Sequence, residues 1–225
     1  MTKRRSPQPD LLPEPETLKP LAERMRPRSL DDFVVQDRLL APGTAFRRAI
    51  ESGRVHSMIL WGPPGCGKTS LARVLARYAD AEFLSISAVL GGLAEVRAAL
   101  AEATQHFAAG KRTVLFVDEV HRFNKAQQDA FLPHIERGTI VFVGATTENP
   151  SFELNSALLS RCRVHVLDMV SVEAIVTALR RALADREHGL GELDLQIDDA
   201  ALTEIARAAD GDVRRVPSMT LLEAM

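Results

Sequence analysis

Short apolar runs alternate with segments whose apolar positions recur every three or four residues, and these two periods divide the chain. Runs near 57–61, 82–87, 112–118, 139–145 and 163–167 read as strands, while the stretches at about 43–53, 67–78, 92–109 and 124–137 carry the helical period. Val114-Leu115-Phe116-Val117 is apolar without a break, the pattern of a strand covered on both faces of a parallel sheet. The alternation predicts an α/β fold, a five-stranded parallel sheet flanked by helices, with ligand bound at the carboxyl ends of the strands. From about Ser171 the strand signal stops, and amphipathic runs near 171–187 and 198–209 predict a following all-α domain. Ahead of the pattern, residues 1–20 hold Lys3-Arg4-Arg5 and then Pro7, Pro9, Pro13, Pro15 and Pro20, a composition that cannot build a core and predicts a disordered or extended tail. The expected organisation is a tail over 1–20, an α/β domain over 21–169 and a helical domain over 170–225.

Two segments on this framework carry chemistry. Gly62-Pro63-Pro64-Gly65-Cys66-Gly67-Lys68-Thr69 fits the phosphate-binding pattern G-x-x-x-x-G-K-[ST]; the strand-like Ser57–Trp61 enters it and the helix-like Ser70–Ala76 leaves it. Backbone N–H groups of such a loop point at phosphate oxygens, and the helix N-terminus adds positive potential. Lys68 is expected to reach the β- and γ-phosphates and the Thr69 hydroxyl to hold Mg²⁺. The second segment is the strand Thr113–Val117 ending in Asp118-Glu119. Asp118 would support the metal and Glu119 would polarise the water that attacks the γ-phosphate.

Composition narrows the setting. The chain has 225 residues and 28 basic against 30 acidic side chains, a net charge of −2, so a nucleic-acid role needs a local basic patch rather than a global field. No run is long and apolar enough to span a bilayer, and Cys66 and Cys162 both lie inside motif segments rather than in a disulfide framework. The expectation is a cytoplasmic, reduced protein with no membrane partner.

Further short segments bear a resemblance. Val141–Pro150 is a strand ending in small polar residues, Leu158-Leu159-Ser160-Arg161-Cys162 presents an arginine at the end of a short helix, and Gly211-Asp212-Val213-Arg214-Arg215 opens a further helix. In this order they resemble the sensor-one strand, arginine finger and sensor-two helix of the AAA+ ATPases. Arg24-Met25-Arg26-Pro27, His56–Gly65, Asp118–Asp129 and Gly144–Phe152 are similar, more narrowly, to the replication-associated recombination protein A family, which includes the eukaryotic Werner-helicase-interacting ATPases. The resemblance implies a P-loop AAA+ core followed by part of a helical lid. It implies DNA-stimulated ATP hydrolysis in replication-fork maintenance and recombination at stalled forks, with DNA (single-stranded regions, ends and forks), single-stranded-DNA-binding protein and further copies of the chain as partners, in a nucleoid-associated setting.

By the same resemblance, Gly62 through Ser70 with Asp118 bind nucleotide, Thr69 and Asp118 bind the metal, and Glu119 is the catalytic carboxylate. Thr147 is the sensor, with Thr146 as the alternative because adjacent strand residues face opposite sides. Arg161 acts on a neighbouring subunit's nucleotide, and Arg214 reaches the phosphates from the lid, with Arg215 as the fallback. Arg122, Phe123 and Lys125 are the types that grip phosphate and stack on bases; Phe123 packing the next helix is the other reading.

Three positions depart from the family pattern: Cys66, with an expected oxidation-sensitive thiol; Val35 where relatives place glycine; and Pro217 in a helix. The chain ends at Met225, before the family's remaining lid and C-terminal domain, which predicts a fragment. The competing functions are a clamp-loader-like or branch-migration subunit, an ATP-binding module without turnover, and a protein unfoldase; Val89-Leu90-Gly91 lacks the aromatic that threading requires.

Overall fold

The computed structural model describes residues 19–89, 91–193 and 195–215. Residues 1–18 of the expected tail, Leu90 and Pro217 lie outside the described residues.

Strands β1 (Met58–Trp61), β2 (Ala81–Ser87), β3 (Arg112–Asp118), β4 (Val141–Thr146) and β5 (Arg163–Val166) form one five-stranded sheet in the order β2-β3-β4-β1-β5. Every pairing is parallel, with Met58 beside Val143 and Arg163, Trp61 beside Thr146, and Ser87 beside Asp118. The ends of β3, β4 and β1 therefore stand side by side at one edge, and the two chemical segments lie on β1 and β3. The five expected strands are all present, within one or two residues of their expected bounds.

Side chains of the central strands alternate between two cores. Met58, Leu60, Val114, Phe116, Val143 and Ala145 face one, and Ile59, Leu115, Val117 and Phe142 face the other. The first core is closed by α4 (Lys68–Tyr78), α10 (Val172–Ala184) and α11 (Asp199–Ala208). The second is closed by α5 (Leu93–Ala108), α7 (Leu132–Glu136) and α9 (Ser156–Leu159), with α6 (Lys125–Asp129) and α8 (Pro150–Glu153) beside α9. Ahead of the sheet come α1 (Leu21–Arg24), a 3-10 turn at Leu30–Asp32, α2 (Asp37–Leu40) and α3 (Ala45–Glu51). Arg47 of α3 is buried yet fully occupied: it donates to Asp31 at 2.7 Å, Glu51 at 2.7 Å and the Leu40 carbonyl at 3.0 Å, which ties the N-terminal segment down.

The helix expected over 124–137 is two helices. Pro133 cannot donate the hydrogen bond that would join them, and the chain restarts at Phe131, whose ring is completely buried against Phe123 and Phe142. The expected helices at 171–187 and 198–209 are shorter, capped by the Ser171 and Asp198 side chains, which accept from the N–H groups of Ala174 and Ala201.

Candidate functional site

A cleft of about 950 Å³ opens between the phosphate loop, the N-terminal segment and α10. The loop runs from Gly62 to Gly67 between the end of β1 and the start of α4. Lys68 is buried, and its Nζ donates to the Gly62 carbonyl at 2.8 Å and the Pro63 carbonyl at 2.9 Å. The ammonium is thus curled into the loop, held at the place where phosphate oxygens would replace those carbonyls. Thr69 follows in the first turn of α4 and lines the same cleft.

Asp118 closes β3 and Glu119 follows it with a left-handed backbone, φ 51°. A non-glycine residue in that region is strained, and such strain persists where the surrounding structure dictates it. Burial first, and then the neighbouring Glu119 charge, push the Asp118 carboxyl above the usual carboxylate range, with Lys68 and Arg214 partly offsetting them. A carboxylate that is disfavoured in this way is relieved by a cation. The oxygen donors of Thr69 and Asp118 suit Mg²⁺, a hard ion that takes most of its remaining ligands from water and phosphate.

The two threonines at the end of β4 differ sharply. Thr146 is fully buried, and its hydroxyl donates to the Glu148 carbonyl at 3.2 Å and lies 2.9 Å from His121 Nδ1. Thr147 faces the other way and donates to Glu119 Oε2 at 3.3 Å. Of the pair, Thr147 is the one that touches the carboxylate.

Asp212, which the sequence reading quoted without a role, leans on the phosphate loop. A Cβ added to Gly65 would fall 2.2 Å from Asp212 Oδ1, and Gly65 itself has φ 73°, so this approach requires glycine. Arg214 grips Asp212 through Nε at 2.9 Å and Nη2 at 2.7 Å, which holds the Asp212 carboxyl below its ordinary range. The Asp118 charge also acts on Arg214. Arg214 therefore lies at the cleft, among its lining residues, paired with a carboxylate rather than projecting from the chain.

Gln36 is a second residue missed in the sequence. Its Nε2 donates to the Asp168 carbonyl at 2.9 Å and the Cys66 carbonyl at 3.3 Å, and its Oε1 accepts the Asp168 N–H at 2.9 Å. One buried amide thus joins the phosphate loop to the segment leading from β5 to α10. The left-handed turn falls at Gln36, φ 79°, rather than at Val35, so a β-branched residue at 35 meets no backbone penalty there.

Two expectations are corrected. Phe123 is buried in the second core, stacked 6.1 Å from Phe131, and cannot stack on a base; Arg122 and Lys125 on either side of it are exposed. Cys66 is not a reactive thiol: it is buried, and burial pushes its thiol up further than Lys68 pulls it down.

Arg161 is remote from the cleft and absent from its lining. It sits just beyond α9 and is held outward by Glu136 of α7, to which its Nε donates at 2.8 Å, and by the Ala157 carbonyl at 2.9 Å. Gln128 donates to the Phe123 carbonyl at 2.9 Å and accepts the Asn155 N–H at 2.9 Å, and Asn155 donates to Asp129 at 2.8 Å. The segment after Glu119 is thereby braced against the helices that carry Arg161.

Comparison with known proteins agrees with this geometry. The model of the ATPase family associated with various cellular activities (AAA) matches residues 58–168. Replication-associated recombination protein A of Escherichia coli K12 is 57% identical over 209 residues, 93% of this chain and 46% of that protein. The ATPase WRNIP1 of Dictyostelium discoideum is 43% identical over 88% of this chain and 23% of that protein. Among solved structures, the Holliday junction branch migration motor RuvB of Thermotoga maritima superposes with a TM-score of 0.70 at 32% identity, over 88% of this chain and 64% of that one. The chain spans about half the length of the bacterial relatives it matches, 46% for the protein from Escherichia coli.

Proposed function

Because the chain belongs to the AAA ATPases of the replication-associated recombination protein A family, we propose that it hydrolyses ATP to ADP and phosphate under DNA stimulation, in recombination and fork maintenance during replication. Residues 21–169 are its nucleotide-binding domain, and the segment from 170 onward begins a helical lid. The observation that carries the reading is the meeting of Lys68, Asp118, Glu119 and Thr147 at the ends of three adjacent parallel strands, under a cleft of nucleotide size.

In this reading the loop N–H groups and Lys68 hold the phosphates, with Lys68 exchanging its two carbonyl partners for phosphate oxygens. Thr69 and Asp118 would hold Mg²⁺, which when bound neutralises developing charge on the phosphate oxygens. Glu119 accepts a proton from the attacking water, and Thr147 keeps that carboxylate in place. Arg214 adds positive charge from the lid side. Arg161, directed away from its own cleft, supplies charge to the cleft of a second copy, so turnover requires assembly. DNA is engaged through exposed cations, with Arg122 and Lys125 the candidates beside the catalytic strand. Single-stranded-DNA-binding protein is the proposed protein partner, and the setting is the cytoplasm at the nucleoid. No helix among the described residues is long and apolar enough to cross a membrane.

The experiment is the ATPase rate as a function of protein concentration, with and without single-stranded DNA carrying a duplex end, for the parent chain and the Glu119→Gln and Arg161→Ala variants. The expected result is a rate per chain that rises with concentration and with DNA. It should fall by about a hundredfold or more in Glu119→Gln with ATP still bound, and lose its concentration dependence in Arg161→Ala. ATP binding without turnover under every condition would overturn the hydrolytic reading and leave a nucleotide-binding module.

A further inference from the structure

We infer that His121 is a positioning residue for the Glu119 carboxylate, an inference that rests on Glu119 being the group that polarises the attacking water. The ring is carried by the 3-10 turn Val120–Arg122, immediately after the strained Glu119 backbone. That turn packs closely on β4 at Gly144: a Cβ there would lie 2.9 Å from Ile59 Cδ1 and 3.2 Å from Val120 Cγ1. The docking brings His121 Nδ1 to 2.9 Å from Thr146 Oγ1 and 3.3 Å from Glu119 Oε2.

The proton on that nitrogen follows from its neighbours. The Thr146 hydroxyl oxygen accepts the Glu148 N–H at 3.1 Å, and its one hydrogen has two acceptors in reach, the Glu148 carbonyl at 3.2 Å and His121 Nδ1 at 2.9 Å; directed at the carbonyl, it leaves the oxygen to accept from Nδ1. An ionised carboxylate only accepts. In the tautomer that suits this carboxylate, Nδ1 carries the hydrogen, donates to Thr146 in the sheet at 2.9 Å and stands 3.3 Å from the catalytic carboxylate. Both side chains are sheltered, His121 12% and Glu119 26% exposed, where a polar contact to a charged group is screened less than in water.

The effect on the carboxylate is directional. Thr147 donates to Oε2 at 3.3 Å and His121 Nδ1 stands 3.3 Å from the same atom, while among the described residues no donor is directed at Oε1. One oxygen is fixed by two neighbours, and the other is presented to water. His121 also stands between Glu119 and the exposed Arg122 and Lys125, so a displacement of that turn moves the carboxylate.

The test compares ATP affinity and turnover at saturating ATP for His121→Ala and His121→Asn, each alone and combined with Glu119→Gln, using the full chain with DNA. Asparagine places a side-chain N–H close to the position of Nδ1. His121→Ala should lower turnover by about tenfold or more with ATP affinity within about twofold of the parent, and His121→Asn should recover most of that loss. In the Glu119→Gln background, His121→Ala should add little, because it acts through the group already removed. Normal turnover in His121→Ala, no recovery with asparagine, or an undiminished loss in the Glu119→Gln background would each overturn the inference. If alanine costs the fold, as shown by a lost melting transition, the asparagine and double variants decide. Unchanged turnover in Glu119→Gln alone would instead refute the role of Glu119 itself, a separate outcome.

Discussion

Replacing Gln36 by leucine should destabilise the protein and weaken ATP binding together, because that one side chain joins two walls of the cleft. Leucine is close to glutamine in volume, so the cavity term is small and the cost lies in the orphaned partners. Gln36 is 4% exposed and makes two hydrogen bonds of 2.9 Å to the Asp168 backbone and one of 3.3 Å to the Cys66 carbonyl. A buried backbone group left without its partner costs about 1–3 kcal/mol. Asp168 lies at the surface, where water can reach one of its two groups, and the Cys66 bond is long, which places the sum at about 2–4 kcal/mol. For a chain of this length that corresponds to a melting temperature lower by roughly 4–16 °C.

The left-handed backbone at Gln36, φ 79°, is equally strained for glutamine and leucine, so it drops out of the difference. The assays are a thermal melt followed by circular dichroism and a titration with a fluorescent ATP analogue. Affinity should fall by about fivefold or more, as the loop carbonyl at Cys66 and the chain entering α10 lose their common anchor. A melting temperature within about 2 °C of the parent, together with unchanged affinity, would refute the reasoning.

Two other substitutions test the corrected and peripheral parts of the structure. Phe123→Ala empties a position that is 3% exposed and stacked on the Phe131 ring, so it should cost about 3–5 kcal/mol in chemical denaturation. Arg122→Ala with Lys125→Ala should leave the melt unchanged and weaken binding to single-stranded DNA in fluorescence anisotropy; the reverse pattern would return Phe123 to the surface. Burial, with the charges of His56 and Arg163, lowers His165 from 6.5 to about 4. Between those values only the unfolded chain takes up the proton, so the contribution is complete above pH 6.5 and is lost as pH falls towards 4. It amounts to about 2 kcal/mol after allowing for the exposed part of the ring, and His165→Phe should flatten the acid limb of the stability profile by that amount.

What could be read from the sequence, and what could not, follows from the range of the interactions. The strands and the phosphate loop are local: four apolar residues in succession at Val114–Val117, or a glycine pattern leading into Lys68-Thr69, carry their meaning within a few positions. Thr146 against Thr147 could not be decided, because the answer depends on which face of β4 meets the turn after β3, a matter of sheet register. Phe123 was ambiguous for the same reason; a lone aromatic between cations fits a base platform or a core equally well until Phe131 and Phe142 are placed beside it. Gln36 and Asp168 are 132 positions apart, and nothing near either residue announces the other. The break in the helix over 124–137 was legible in principle, because Pro133 was in view and its missing N–H has one structural consequence.

The long-range contacts share a logic that the local motifs do not show. Arg181 of α10 donates to the Asp32 carbonyl at 3.0 Å, and Arg28 pairs with His188 at 2.8 Å, so the N-terminal segment is tied to the helical part across the cleft. Gln36 ties that same segment to the phosphate loop, and Asp212 presses on Gly65 from the chain that follows α11. Each wall of the cleft is therefore fastened to another wall through the residues that line it. On the proposed function, a triphosphate entering this cleft would compete with the two carbonyls for Lys68 and with Asp212 for Arg214. Both exchanges replace an internal partner by a phosphate oxygen, and only the second involves a residue beyond α11. In that reading the Arg214 exchange would be the step through which phosphate occupancy is felt by the helical part, while the Lys68 exchange would stay within the loop.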